Sequence, residues 1–181
     1  IPLKDFFEDE LDVPVYIEND SRAMTYGEYM SSVQGSEKNM IFVNISWGLG
    51  MGMILDGRLY YGTSGFSGEI GHFPILSNDR ICRCGKVGCL ETGASGSALH
   101  DMIINRLKEG RVSSLTRKYE LEHDISLEDI LKAVDEEDVL AIDSMGRIGE
   151  ILGRGIAGII NIFNPGQVII GGRLIVGGDY L

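Results

Sequence analysis

All three cysteines of this chain fall within eight positions, at Cys82, Cys84 and Cys89, and His72 precedes the first of them by ten. The pattern H-x9-C-x-C-x4-C supplies three thiolates and one imidazole, which is a complete tetrahedral donor set for zinc in a closed structural site. Two glycines inside the motif suit a tight loop, because glycine tolerates positive φ. The motif therefore predicts a metal-held loop between residues 72 and 89.

The same stretch is also compatible with a loop that holds no metal. The cysteines could lie together by chance, or two of them could form a disulfide, although an odd cysteine count disfavours pairing. Glu69 and Glu91 bracket the cluster, so a metal-held loop would fix both carboxylates against the same space. Alternatively, both are solvated surface acids, which is the usual situation of a glutamate.

Charge limits the partners of the chain. The formal net charge of the 181 residues is −11, and a negative field repels phosphate backbones, which disfavours direct contact of this segment with nucleic acid. No apolar run reaches the roughly 20 residues of a membrane span, and no signal peptide opens the chain. We therefore expect a cytoplasmic protein without membrane contact.

The spacing of apolar residues predicts strands first and helices later. Strands are predicted at 13–17, 40–46 and 167–172 (the last two buried), with a hairpin around the turn pair Asp56-Gly57. Helices are predicted at 21–32, 95–110, 126–134 and 139–165. The first should be capped by Asp20 or Ser21, the third by a capping box of Ser126 and Asp129. The order predicts an α/β fold, with 111–124 as its most loop-like part.

Several motifs, found in order along most of the chain, resemble the ROK family of repressors, open reading frames and kinases. These motifs are VYIEND, SWGLGMGMILDGRLYYG, GEIGH, CRCGKVGCLE and NPGQVIIGG. The resemblance implies an actin-like ATPase (ribonuclease H-like) fold with a zinc-stapled loop, incomplete in this chain. We expect 1–181 to be the sugar-binding region, truncated at both ends, with a DNA-binding module and the first phosphate loop outside it.

The resemblance also implies roles for individual residues. In the kinases of the family, the aspartate at the position of Asp20 is the general base that takes a proton from a sugar hydroxyl. The implied sugar-binding residues are Asn19, Asp20, Glu69, His72 and Glu91. The implied ligands of a structural zinc ion are His72, Cys82, Cys84 and Cys89. One ring nitrogen of His72 would then bind the metal, and the other would face the sugar.

Glycines form the phosphate and nucleotide part of the implied site. They are Gly48, Gly50 and Gly52 along the hairpin, and Gly171 and Gly172 after the last strand. Missing side chains would let backbone N–H groups approach a phosphate. Close packing and tight turns explain these glycines equally well, so their role stays open.

Two substitutions separate the chain from the kinase pattern. Trp47 stands where the kinases carry a threonine that faces phosphate, and Arg22 replaces the second asparagine of Asn-Asp-Ala-Asn. An indole cannot replace a small hydroxyl donor, so we expect the effector-binding domain of a self-associating ROK regulator. It would bind a sugar or sugar phosphate and contact DNA only through a module outside this chain.

Two alternatives remain. One is an ATP- and Mg-dependent hexose or N-acetylhexosamine kinase with Asp20 as its base. The other is a zinc-stapled scaffold that binds no small molecule. The remaining histidines, His100 and His123, have no partners nearby in the sequence and are expected to be ordinary surface residues.

Overall fold

A computed structural model describes residues 2–31 and 37–181. Its α-helices, α1 to α6, are Leu3–Leu11, Asp20–Ser31, Gly96–Lys108, Thr116–Glu122, Leu127–Asp135 and Val139–Phe163. Its strands, β1 to β4, are Met40–Ile45, Leu49–Leu55, Arg58–Leu59 and Gln167–Gly171. Short 3-10 helices occur at Ile70–His72, Leu90–Thr92 and Arg173–Tyr180. The described residues form an α/β fold, as predicted.

The strands form one mixed sheet in the order β3-β2-β1-β4. β1 pairs antiparallel with β2 and parallel with β4. Asp56 and Gly57 join β2 to β3 and both have positive φ, which is the backbone of a type I′ hairpin turn. The predicted hairpin is confirmed, although its second strand is only two residues long.

The sheet lies between helices, and this layering positions the site. α2 packs on one face against β1 and β2. On the other face, Ile41, Val43 and Ile45 join apolar side chains of α3, α5 and α6 in the hydrophobic core. Their alternation follows the two-residue period of a strand. The intervening residue Asn44 faces α2, so the end of β1 meets the start of that helix.

The ends of α5 and α6 were predictable from local sequence. Ser126 and Asp129 form the predicted capping box of α5. α6 ends at Phe163, and its C-cap Asn164 adopts the left-handed conformation directly before Pro165. Among the described helices, including the 25-residue α6, none has both the length and the apolar character of a membrane span.

The start of α2 differs from the prediction by one residue. Oδ1 of Asn19 accepts a hydrogen bond from the N–H of Arg22 at 3.1 Å, which is the contact of an N-cap. Asn19 therefore caps the helix, rather than Asp20 or Ser21. The predicted last residue of this helix, Ser32, lies outside the described residues.

Three further predictions about the fold are wrong in part or in whole. Residues 13–17 form no strand, because a strand needs a neighbour to satisfy its backbone; instead, the N–H of Val15 donates to Oε1 of Glu8 at 3.0 Å. Residues 111–124 contain α4, which begins beside the buried Leu115. β4 is half-exposed rather than buried, because among the described residues it is an edge strand.

Candidate functional site

A polar cavity of about 200 Å³ lies between the start of α2, the turn that joins β1 to β2, and residues 67–72. The structure brings together in its wall the five residues implied to bind sugar: Asn19, Asp20, Glu69, His72 and Glu91. Carboxylates, an amide and an imidazole offer both acceptors and donors of hydrogen bonds. The cavity is therefore chemically suited to a small molecule with several hydroxyl groups.

Asp20 is held in this wall by a network with a buried asparagine. Its Oδ1 accepts hydrogen bonds from the backbone N–H and the hydroxyl of Ser21, at 2.7 and 3.2 Å. Nδ2 of Asn44 lies 3.4 Å from Oδ2 of Asp20 and donates to the Ser21 hydroxyl at 3.1 Å. Sequence reasoning missed Asn44, which is 4% exposed. A buried amide needs partners, so an asparagine inside the apolar run MIFVNIS was the available signal.

Glu91 is not a freely solvated acid. Its Oε2 accepts a hydrogen bond from the N–H of Leu49 at 3.0 Å. The same oxygen would lie 3.0 Å from a Cβ at Gly48, so the missing side chain there leaves room for the carboxylate. Glu69, in contrast, lines the cavity with a side chain that is 50% exposed, and no backbone N–H of residues 2–31 or 37–181 donates to its carboxylate.

The predicted metal ligands also come together. One donor atom from each of His72, Cys82, Cys84 and Cys89 lies within 4.8 Å of the other three. Sγ of Cys82 is 3.4 Å from Nδ1 of His72, and the Sγ atoms of Cys84 and Cys89 are 3.6 Å apart. Tetrahedral zinc with Zn–N and Zn–S bonds of about 2.0–2.3 Å would separate its ligands by roughly 3.5–3.8 Å. The donors and their spacing thus fit a metal ion, and all three cysteines are free rather than paired in a disulfide.

The environments of the thiols differ. Burial, together with the adjacent Cys84 and Cys82 thiols, raises the pKa of Cys89 to about 12. A hydrogen bond from the backbone of Lys86 lowers the pKa of the exposed Cys84. Metals bind the thiolate form, so metal binding here must displace the proton of Cys89. The affinity of the cluster for a metal ion should therefore depend on pH.

The imidazole of His72 faces both the cluster and the cavity. Nδ1 points at the thiol of Cys82, whereas Nε2 lies 3.9 Å from Oε2 of Glu69. The two ring nitrogens of His72 therefore face different sites: Nδ1 faces the cysteine cluster, and Nε2 faces the cavity.

The glycines of the hairpin occupy close-packed positions. A Cβ at Gly50 would overlap the hydroxyl of Ser21, and a Cβ at Gly52 would overlap the hydroxyl of Thr25. Both hydroxyls belong to α2, so these glycines let the helix approach β2. This packing supports the alternative to a phosphate role, which remains a prediction.

Gly171 and Gly172 are likewise crowded. A Cβ at Gly171 would overlap the ring of Phe42, and one at Gly172 would overlap the carbonyl of Ile45. Gly172 also has a φ of 105°, which side chains rarely adopt. Local geometry thus explains both glycines, and a role beside a nucleotide remains a prediction.

Trp47 lies in the turn between β1 and β2, outside the residues that line the cavity. Its carbonyl accepts a hydrogen bond from the N–H of Ser97 at 2.9 Å, and its ring is centred 5.5 Å from that of His100. The prediction that His100 is an ordinary surface residue is wrong, because its side chain is only 18% exposed. Its Nε2 lies 2.8 Å from Oδ1 of Asp124, because α3 packs beside the segment that precedes α5.

The chain is similar to known proteins over nearly its whole length. The ROK family model matches residues 1–181. The xylose repressor of Bacillus subtilis (strain 168) is 37% identical over 175 residues, which are 97% of this chain and 42% of the repressor.

Two solved structures share the fold. A ROK family transcriptional regulator, a homologue of the E. coli MLC protein, has a TM-score of 0.82 and 36% identity, covering 99% of this chain and 44% of that one. A ROK family glucokinase from Streptomyces griseus, in complex with glucose and AMPPNP, has a TM-score of 0.85 and 30% identity, covering 99% and 58%. The chain thus spans about half the length of the proteins that it resembles.

Proposed function

The chain belongs to the ROK family, and we propose that it is the sugar-binding region of a sugar-sensing transcriptional regulator. The observation that supports sugar binding is the cavity that collects Asn19, Asp20, Glu69, His72 and Glu91. A sugar hydroxyl both donates and accepts hydrogen bonds, so a wall of carboxylates, an amide and an imidazole can engage several hydroxyls at once.

Trp47 supports a regulator over a kinase. It stands where the kinases that the sequence resembles carry a threonine hydroxyl facing phosphate, and its indole instead lies beside His100. A sensor requires no phosphoryl transfer, only a sugar that binds one arrangement of the protein more tightly than another. DNA contact would belong to a module outside this chain, in line with the net charge of −11. Self-association remains a prediction from the family resemblance.

We propose zinc as the metal of the cluster, held by His72, Cys82, Cys84 and Cys89. Bound there, zinc would supply a structural cross-link. Nε2 of His72 remains on the cavity side, and Glu91 follows Cys89 by two residues. The cross-link would therefore fix two of the five sugar-binding residues.

An ATP-dependent hexose or N-acetylhexosamine kinase is the second candidate, and the observation in its favour is Asp20. In a kinase, this carboxylate would take the proton of a sugar hydroxyl while the hydroxyl oxygen attacks the γ-phosphorus of Mg-ATP and ADP leaves. In a regulator, the same carboxylate would serve as a hydrogen-bond acceptor.

Two assays on the full-length protein test the proposal. Isothermal titration with D-xylose, D-glucose and N-acetyl-D-glucosamine, and with the 6-phosphates of the latter two, should give saturable binding of at least one ligand, weakened by Asp20→Asn. A coupled ADP assay should detect no sugar-dependent turnover of ATP. Turnover that Asp20→Asn abolishes would establish the kinase instead, and failure of every sugar to bind would leave only the scaffold.

A further inference from the structure

Arg22 is the second residue that departs from the kinase pattern, and its side chain is only 15% exposed. Nε donates to Oε1 of Glu18 at 2.6 Å, and Nη1 donates to the carbonyl of Gly65 at 2.7 Å. The guanidinium carbon lies 5.4 Å from the ring centroid of Tyr61, within the range of a cation–π contact. Arg22 thus binds two segments that are more than 40 positions apart.

The distant segment, residues 60–69, is here called the cavity loop. It has positive φ at Gly62, Gly65 and Gly68, and glycines make a backbone easy to deform. Within the loop, the N–H of Ser67 donates to the carbonyl of Tyr61 at a long 3.3 Å. The last three residues of the loop, 67–69, line the cavity. A contact that steadies the loop therefore steadies one wall of the cavity.

The two side chains that Arg22 contacts, Glu18 and Tyr61, also interact with each other. Partial burial raises the pKa of Glu18. Hydrogen bonds from Arg22, from the N–H of Asn19 and from Tyr61 outweigh this effect and hold the pKa below its usual value. The hydrogen bond to Glu18 raises the pKa of Tyr61. Glu18 thus links the guanidinium to the aromatic ring that Arg22 also contacts.

Arg22 lies in the first turn of α2, directly after residues 19–21, which form the opposite wall. It is not among the residues that line the cavity. Arg22 therefore reaches a bound molecule not by direct contact but through the positions of the two walls, and a lysine in its place keeps the positive charge while it removes the two directed hydrogen bonds.

We propose that Arg22 is a positioning residue that sets the separation between Asp20 and Glu69, and with it the affinity and selectivity of the cavity. This inference rests on the proposed sugar binding. The planar guanidinium directs two N–H groups to two fixed acceptors, which the single ammonium group of lysine cannot reproduce. A wall already held in place loses less conformational freedom when a ligand binds.

The test compares Arg22→Lys with Arg117→Lys in the full-length protein. Arg117 is exposed in α4, so its replacement controls for the exchange of one cation for another. D-glucose and D-xylose differ by one hydroxymethyl group, and their dissociation constants report the fit of the cavity. In Arg22→Lys we expect affinity for the better sugar to fall about tenfold and the ratio of the two constants to approach one.

Loss of stability alone would leave that ratio unchanged in the folded protein, so an unchanged ratio and affinity would overturn the inference. Hydrogen exchange separates this failure from a failure of the proposed function. The Ser67 amide should exchange several-fold faster in Arg22→Lys, whereas amides of α6 should not change. If the wild type binds no sugar, the proposed function fails, and unaltered Ser67 exchange would still refute the role of Arg22. Tyr61→Phe, which removes one hydroxyl, should produce a smaller change in the same direction.

Discussion

The carboxylate of Glu91 accepts a hydrogen bond from the backbone N–H of Leu49 across 3.0 Å, although 42 positions separate the two residues. This contact joins the segment that follows the His/Cys cluster to the start of β2. Because Glu91 comes two residues after Cys89, the position of this part of the cavity wall depends on the loop that the cluster holds. Metal binding and sugar binding should therefore be coupled.

Cys84→Ser should lower both zinc content and sugar affinity. We expect about one zinc ion per chain in the wild type by elemental analysis, because the four donors fit a closed tetrahedral site. Removal of zinc should also lower stability, by about 4 kcal/mol when free zinc exceeds its dissociation constant 1,000-fold. Lys86→Ala is the matched control, since it changes an exposed side chain of the same loop that is not a ligand. Full zinc occupancy in Cys84→Ser would contradict the ligand set.

Glu69→Gln should weaken sugar binding with little effect on folding. The side chain of Glu69 is 50% exposed, so its loss leaves no buried group unpaired. A hydrogen bond to a charged group contributes about 1.5–3 kcal/mol, which corresponds to an affinity loss of roughly 10- to 150-fold by titration calorimetry. Glu120→Gln, at an exposed site on α4, should bind as the wild type does. If Glu69→Gln bound sugar as tightly as Glu120→Gln, Glu69 would not be a sugar-binding residue.

Gly52→Ala should destabilise the protein, whereas Gly153→Ala should not. A Cβ at Gly52 would overlap Thr25 and would approach the carbonyl of Ser21, and such overpacking costs about 1–3 kcal/mol. Gly153 lies in α6 with open space where a Cβ would be, so alanine there should stabilise the helix by up to about 1 kcal/mol. Urea denaturation measures both. A stable Gly52→Ala would show that α2 need not lie so close to β2.

Asp129 should contribute to stability at neutral pH and not in acid. Hydrogen bonds from Lys118 and Ser126 lower the pKa of Asp129 from 3.8 to about 2, and the side chain is 23% exposed. A lowered pKa in the folded state means that the ionised form is the stabilised one. The contribution, on the order of 2 kcal/mol, should be complete above about pH 5 and should be lost as the pH falls from there through about 2.

Urea denaturation of the wild type and of Asp129→Asn over this pH range measures the contribution of Asp129. The difference between the two proteins cancels the separate effect of acid on the cysteine cluster. A difference that stays constant from pH 7 to pH 2 would rule out the ionised carboxylate as its source.

Local patterns predicted most of the secondary structure. Three of these elements depend on residues within a few positions of one another: the strand Met40–Ile45, the capping box of Ser126 and Asp129, and the end of α6 before its C-cap Asn164. The spacing of His72 and the cysteines belongs to the same class, since loop closure over so few residues brings the donors into reach. Such signals act over short distances along the chain, so they can be recognised from the sequence alone.

Contacts across long stretches of chain were not predictable in this way. The sequence around residues 13–17 does not indicate whether another strand lies beside them. The partners of Asn44, and the bond from Arg22 to the carbonyl of Gly65, join segments more than 20 positions apart. Burial and pairing of this kind exist only once helices and strands have packed.

The amino-acid order alone thus determined the α/β class, the family and the composition of the cysteine cluster, because periodicity, turn chemistry and ligand spacing are local properties. The packed structure alone decided how the wall of the cavity is held together, with Asn44 beside Asp20 and Glu91 bonded to the N–H of Leu49. The physical reason is that such a cavity is made by segments far apart in the chain. Their approach depends on the burial of a common core.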